Sequence, residues 1–217
     1  MTQLSLNDPI TSLRGIGESQ SKKYSKLNIY TIRDLLFHIP FRYRDTSEIL
    51  TIEDFKYLEE GTFLAQILET RNVYTRTGKV LTKVKVADKY GSTLDISFFN
   101  QSYLTKTFKK GQWYIFDGKI SYKGKIKNLY NPKYEKYTGA ISEQKHLGKI
   151  IGIYHETEGL SSRAIRNNII PLEKEITYLI KDPIPQNILQ KEKLLPLSDS
   201  IKEIHFPKSK DTLLKAR

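Results

Sequence analysis

The clearest alternation in the chain runs through Leu94-Asp95-Ile96-Ser97-Phe98 and breaks at Phe99. Successive side chains of a strand point to opposite faces. Leu94, Ile96 and Phe98 therefore share the core face, and Phe99 falls with Asp95 and Ser97 on the polar one. A large aromatic on a polar face calls for an explanation. Tyr103 follows four residues later, where a short helix begins, and offers a second ring. Paired exposed aromatics beside basic residues form a platform on which nucleic-acid bases stack. Val80, Thr82, Val84 and Val86 also alternate, with Lys83 and Lys85 on the opposite face.

The period-two pattern predicts strands over 61–73, 80–87, 92–99, 113–122 and 126–130, with turns at 75–79 and 88–91 and a short helix over 101–108. Five short strands with a helix between the third and fourth match an OB-fold, a small barrel that commonly binds oligonucleotides. In Trp113-Tyr-Ile-Phe116 both faces are apolar, so the pattern does not identify the buried side.

Helical patterns flank this β section, and the whole reads as an α+β chain. Ile10, Leu13, Tyr24 and Leu27 are spaced for two helices joined by Gly15-Ile16-Gly17, a helix-hairpin-helix-like motif. Glycines there let backbone N–H groups approach a phosphate, and a helix N-terminus favours an anion. A tight turn between packed helices explains the same residues. Thr31 is placed to cap a helix over 32–37, which Pro40 ends, and Arg42-Tyr43-Arg44-Asp45 reads as a loop. After the strand Ile150–Ile153, Ile165, Ile169, Leu172, Ile176 and Leu179 form an amphipathic stripe spaced 4, 3, 4 and 3. Pro171 lies inside it and is expected to kink or restart the helix. The expected organisation is a helical section with the hairpin motif (1–60), the OB-fold (61–137), a strand with helical packing (138–207) and a linker (208–217).

Charge adds a partner class. The chain carries +12, and residues 61–137, with 15 basic and 5 acidic side chains, account for +10 of it. Concentrated lysine with interleaved aromatics points to a polyanion, most simply nucleic acid. A solvated lysine surface is the alternative. Lys106, Lys109, Lys110, Lys119, Lys123, Lys125 and Lys127 are the candidate phosphate contacts. Asn100 and Gln101, between the two rings, join Lys83 and Lys85 in the candidate nucleic-acid-binding set.

Several chemistries are missing. There is no cysteine, so disulfides and thiolate metal sites are excluded. His38, His146, His155 and His205 lack metal-ligand spacing. No Gly-x-x-x-x-Gly-Lys-Ser/Thr loop occurs, and no catalytic pairing is evident. The chain alone is therefore expected to have no catalytic residue, no metal, no cofactor and no ATPase activity. The start, Met1 to Pro9, lacks the charge and apolar run of a signal peptide, and no apolar run reaches membrane-spanning length. A cytoplasmic monomer is expected.

The order of motifs resembles the N-terminal part of the RecG family of ATP-dependent DNA helicases. The resemblance is carried by Pro9-Ile-Thr-Ser-Leu-Arg-Gly-Ile-Gly17, Asp34-Leu-Leu-Phe-His-Ile-Pro40 with Arg42-Tyr43, and Phe98-Phe-Asn-Gln-Ser-Tyr-Leu104. Gly118-Lys-Ile120, Tyr154-x-x-Thr157-Glu-Gly-Leu-Ser161 and Ile204-His-Phe-Pro207 complete it. It implies an OB-fold wedge that splits a stalled replication fork or Holliday junction. Phe99 and Tyr103 match the two wedge aromatics that stack on bases at the branch point. Helicase motor domains, in cis or in trans, would supply ATP- and Mg2+-dependent movement in recombination and repair. The chain reaches Arg217 about where the first motor would begin, so a wedge without its motor is expected. Pro171 departs from the family pattern. A general OB-fold module for RNA or single strands, or a protein-interaction scaffold, is the alternative.

Overall fold

The computed structural model describes residues 4–74, 78–123, 126–141 and 144–217, with backbone alone at 122, 123, 126 and 127. From the N-terminus come a 3-10 turn (Ile10–Ser12), α1 (Glu18–Ser25), α2 (Ile32–Phe37), β1 (Arg42–Asp45), β2 (Ile49–Leu50) and α3 (Ile52–Leu58). The β-rich middle holds β3 (Glu60–Tyr74), β4 (Val80–Ala87), β5 (Thr93–Phe99), α4 (Leu104–Thr107), β6 (Trp113–Lys123), β7 (Ile126–Tyr130) and β8 (Lys133–Lys136). β9 (Ile150–Ile153), α5 (Ser162–Ile169), a 3-10 turn (Ile170–Leu172), α6 (Ile176–Leu179), α7 (Gln186–Lys191), α8 (Leu197–His205) and α9 (Lys210–Ala216) follow. Two units emerge. One joins residues 1–44 to 150–217, and the other is 45–149. The three sections and linker expected from sequence are thus regrouped, because the first and last apolar segments share one core.

That shared core of the first unit contains Ile10, Leu13, Ile16 and Tyr24 from the N-terminal part, with Ile165, Ile169, Leu172 and Ile176 from the C-terminal part. Only α1 of the expected helical hairpin is an α-helix; its other arm is the single 3-10 turn. The reason is a pairing with a later segment. Ile10 N–H donates to Tyr30 O, Ile32 N–H to Asp8 O and Arg33 N–H to Leu6 O, so residues 6–10 spend backbone groups on the chain at 30–33. α2 starts at a capping box, with Thr31 Oγ1 accepting from Asp34 N–H and the Asp34 carboxylate from Thr31 N–H. Residues 42–45, read as a loop, form β1, which pairs with β9. Pro171 sits in the 3-10 turn between α5 and α6, where the helix restarts as expected.

The motif Tyr154 to Ser161 ties β9 to α5. Ser161 caps α5 through Ala164 N–H. Ser162 Oγ accepts from Tyr154 N–H (3.1 Å) and lies 3.0 Å from the Arg166 guanidinium, which also donates to Gly152 O at 2.8 Å. The segment 208–217, expected as a linker, contains α9, capped by Ser209 and burying Leu213 and Ala216. His205 is buried between Tyr154 Oη, 2.7 Å from Nδ1, and Leu36 O, 2.7 Å from Nε2.

The second unit is built on a mixed sheet in the order β2-β3-β4-β5-β7-β6-β8, and β6 also pairs with β3. Hydrogen bonding thus runs in a circuit through β3, β4, β5, β7 and β6 and back to β3. Phe55, Phe63, Val84, Val86, Ile96, Phe98, Leu104, Phe108, Phe116 and Leu129 are among the buried residues inside. Gly118 sits where a Cβ would lie 2.9 Å from Leu129 Cδ1 and 3.2 Å from Pro132 Cβ, so a larger residue there would have to displace its neighbours. The ambiguity at 113–116 has a physical source, since both faces of β6 are covered. Tyr114 and Phe116 face the core, while Ile115 is buried near Gly148. Glu135 of β8 holds that covering segment through the N–H groups of Lys145, His146 and Leu147 at 2.8–2.9 Å. At the base of the unit, Thr46 N–H donates to Lys149 O at 3.0 Å, and Lys149 N–H donates back to Thr46 Oγ1 at 3.2 Å. The turn read at 75–79 falls mostly outside the described residues.

Candidate nucleic-acid interface

The register of β4 on β5 sets Leu81 opposite Phe99, Thr82 opposite Phe98 and Lys83 opposite Ser97. Phe98 is 1% exposed and packs against Phe108 and Tyr134 at 5.7 and 5.8 Å between centroids. Phe99 is 44% exposed, with one face stacked on Tyr130 at 5.3 Å and 22°. The alternation read from sequence places both correctly.

Beyond Phe99 the chain turns through Asn100, whose φ of 55° lies in the left-handed region that Asn tolerates. Its N–H donates to Val80 O at 2.9 Å. The turn is fastened further by Asn72 Nδ2 on Ser102 O at 3.3 Å, and the Thr82 hydroxyl lies 3.0 Å from Gln101 O. Leu104, fully buried, anchors α4, so Tyr103 at its start stands 55% exposed. Tyr103 Oη donates to Gln101 Oε1 at 3.0 Å. Both rings are thus presented outward by a bonded turn.

The candidate cations fall into groups. Lys83 and Lys85 are exposed on the outward face that carries Phe99. With Glu69, Arg71, Asp95, Ser97 and Asn128 they line a groove of about 390 Å³. Cross-strand rows run Arg71-Lys83-Ser97 and Glu69-Lys85-Asp95, so the cations there are interleaved with two carboxylates. Lys106, Lys109 and Lys110 are exposed around α4. Lys119 is exposed too, 3.6 Å from the Glu60 carboxylate, which offsets part of its charge. The side chains of Lys123 and Lys127 and the whole of Lys125 lie outside the described residues. Gly15, Ile16 and Gly17 belong to the other unit. Gly15 has φ of 93°, Ile16 is buried, and Gly17 caps α1, whose first residue is the acidic Glu18. Among the described residues no cluster of His, Asp and Glu is arranged to hold a metal, and no helix is long and apolar enough to cross a membrane.

Tyr130, Asn131 and Arg71 were not singled out from sequence. The available signals were modest. Tyr130 follows the core residue Leu129 and so points outward, and Asn131-Pro132 marks a strand end.

The RecG wedge domain model matches residues 9–179. An ATP-dependent DNA helicase RecG from Thermotoga maritima is 29% identical over 99% of this chain and 27% of its own length. The Borreliella burgdorferi helicase of the same name is 27% identical over 96% of this chain and 30% of its own. A solved structure of RecG bound to a three-way DNA junction superposes with a TM-score of 0.83 and 26% identity, over 98% of this chain and 29% of that one. The chain thus spans less than a third of the length of these relatives. With a family match across most of its residues and the same fold over nearly all of them, the chain belongs to the RecG wedge domain family.

Proposed function

We propose that the chain binds branched DNA, a stalled fork or a Holliday junction, and that its second unit is the wedge that splits the strands. The observation that carries this reading is the Phe98/Phe99 pair, with one ring in the core and the next held outward, as Tyr103 is. The pairing circuit β3-β4-β5-β7-β6 supports an OB-type barrel as the scaffold. Phe99 and Tyr103 stack on unpaired bases. Asn100, Gln101, Lys83, Lys85, Lys106, Lys109 and Lys110 line the path of the strands. ATP and Mg2+ would be used by motor domains of the kind the relatives' name implies, in the cytoplasm.

Magnitudes define the division of labour. Stacking contributes ~1–3 kcal/mol per base. Opening one base-pair step costs ~1.4 kcal/mol on average. Two rings can hold a frayed pair open, but each further step costs again, so directional movement requires ATP hydrolysis.

The test is a titration of the protein with a three-way fork, a duplex and a single strand of equal length. The fork should bind tightest. Equal or tighter binding of the single strand would favour a general single-strand module, and no binding at low salt would favour a protein scaffold. The same titrations at several salt concentrations give a further expected result. Each neutralised phosphate adds up to ~0.9 to the slope of log K against log salt. Lys106→Ala or Lys109→Ala should lower that slope and weaken fork and duplex alike, because phosphate contacts carry no branch information. A slope near zero contradicts the polyanion reading.

A further inference from the structure

Both rings of the stacking pair are tied to one side chain. Asn131 lies just past β7 with φ of 44°, a left-handed conformation. Its N–H donates to Ser97 O at 2.9 Å, and its Oδ1 accepts from Phe99 N–H at 2.9 Å. Asn131 thus extends by one step the pairing of β7 on β5, in which Tyr130 stands beside Ser97. Its side-chain oxygen takes the place of a ladder carbonyl. The same oxygen accepts from Gln101 Nε2 at 3.4 Å, and Gln101 Oε1 in turn accepts from the Tyr103 hydroxyl at 3.0 Å. An amide oxygen has two lone pairs. Here one serves the strand that carries Phe99 and the other serves the side chain that holds Tyr103. Tyr130, the residue before, backs one face of the Phe99 ring.

We infer that Asn131 is the positioning residue of the wedge, fixing Phe99 and Tyr103 relative to each other so that both meet the branch point together. The inference rests on the stacking reading above. A residue that merely ends a strand would affect stability alone. A positioning residue should affect the preference for forks, and only while the rings are present.

The experiment compares the fork-to-duplex affinity ratio and melting of the wild-type chain with those of Asn131→Gly, Asn131→Asp and Phe99→Ala/Tyr103→Ala, alone and with Asn131→Gly added. Glycine accepts the left-handed backbone and removes the oxygen. Aspartate keeps an acceptor, and the duplex titration reports the general repulsion that its added charge brings. Asn131→Gly should lower the ratio by about 2- to 10-fold, the span of one net hydrogen bond. Asn131→Asp should restore most of it. In the ring-less background Asn131→Gly should lower it no further. An unchanged ratio in Asn131→Gly, or an equal further fall without the rings, overturns the inference while the wedge reading stands. A wild-type ratio in the ring-less variant overturns both. If Asn131→Gly melts far below wild type, Tyr103→Phe carries the comparison, since it keeps the ring and drops the hydroxyl. A lowered ratio there supports the relay through Gln101, and an unchanged one overturns it.

Discussion

Phe98→Ala is expected to destabilise the second unit by ~3–5 kcal/mol, the cost of truncating a large buried aromatic. Its neighbour should behave in the opposite way. Phe99→Ala removes a ring that is nearly half exposed and touches chiefly Tyr130, so the fold should hardly change. Fork affinity should instead fall by the stacking contribution of ~1–3 kcal/mol, roughly 5- to 150-fold, while unbranched duplex binds almost as before. Trp113, the single tryptophan, lies in the second unit, so its fluorescence during urea unfolding reports that unit alone. If Phe99→Ala unfolds early and Phe98→Ala does not, the two rings have exchanged roles and the register argument collapses. Should Phe99→Ala and Tyr103→Ala both fold normally and bind forks like wild type, stacking is not the mechanism.

The second large effect concerns acid and the first unit. Leu36 O can only accept, so Nε2 of His205 carries the proton. Nδ1 is then the acceptor, and Tyr154 Oη donates to it. Burial in this setting lowers the pKa of His205 from 6.5 to about 4, with the Leu36 bond acting in the opposite direction and the nearby His38 adding to the fall. Well above pH 6.5 the ring is neutral whether the chain is folded or not, and it contributes no pH dependence. Below 6.5 the unfolded chain takes up a proton that the folded chain refuses until about pH 4. Stability is therefore lost progressively as pH falls across that window, by ~2 kcal/mol at pH 5 and ~3 kcal/mol in full. His38, also lowered chiefly by burial, acts in the same direction. His205→Gln can donate to Leu36 and accept from Tyr154 without titrating, and it leaves His38 in place. Hydrogen exchange at α8 should show wild type weakening between pH 7.5 and 5 by ~2 kcal/mol more than His205→Gln. Parallel losses would mean that His205 is not the group responsible.

Local rules carried the reading far where structure is decided locally. The strands around Phe99, the cap at Thr31 and the restart at Pro171 follow from period, hydrogen-bonding side chains and a missing N–H. The misses share a different cause. Arg42–Asp45 has no alternation of its own and becomes a strand only because Ile150–Ile153, over a hundred residues away, supplies a partner. The apolar outer face of β6 was undecidable because its cover is pinned by Glu135, a charged residue whose partners are backbone N–H groups. Asn131 was overlooked for the same reason, since its role depends on what lies across the sheet. In the candidate site, the outward placement of Phe99, Lys83 and Lys85 was legible from strand parity. The groups that hold the rings were not.

The reciprocal hydrogen bonds of Thr46 and Lys149 bear on the order in which the chain assembles. Residues 45–149 leave the ribosome before the C-terminal part of the first unit has emerged, so the inserted unit can fold while 1–44 waits without its partner. Bringing the ends of a loop of roughly 105 residues together from a flexible chain costs about 4 kcal/mol in entropy. Folding of the inserted unit around its own core meets that cost, the clasp at Thr46 holds its two ends together, and residue 150 then emerges already tethered beside residue 44. Nascent-chain folding should therefore proceed from the middle of the sequence outward, with the core of Ile10 and Leu13 closing last.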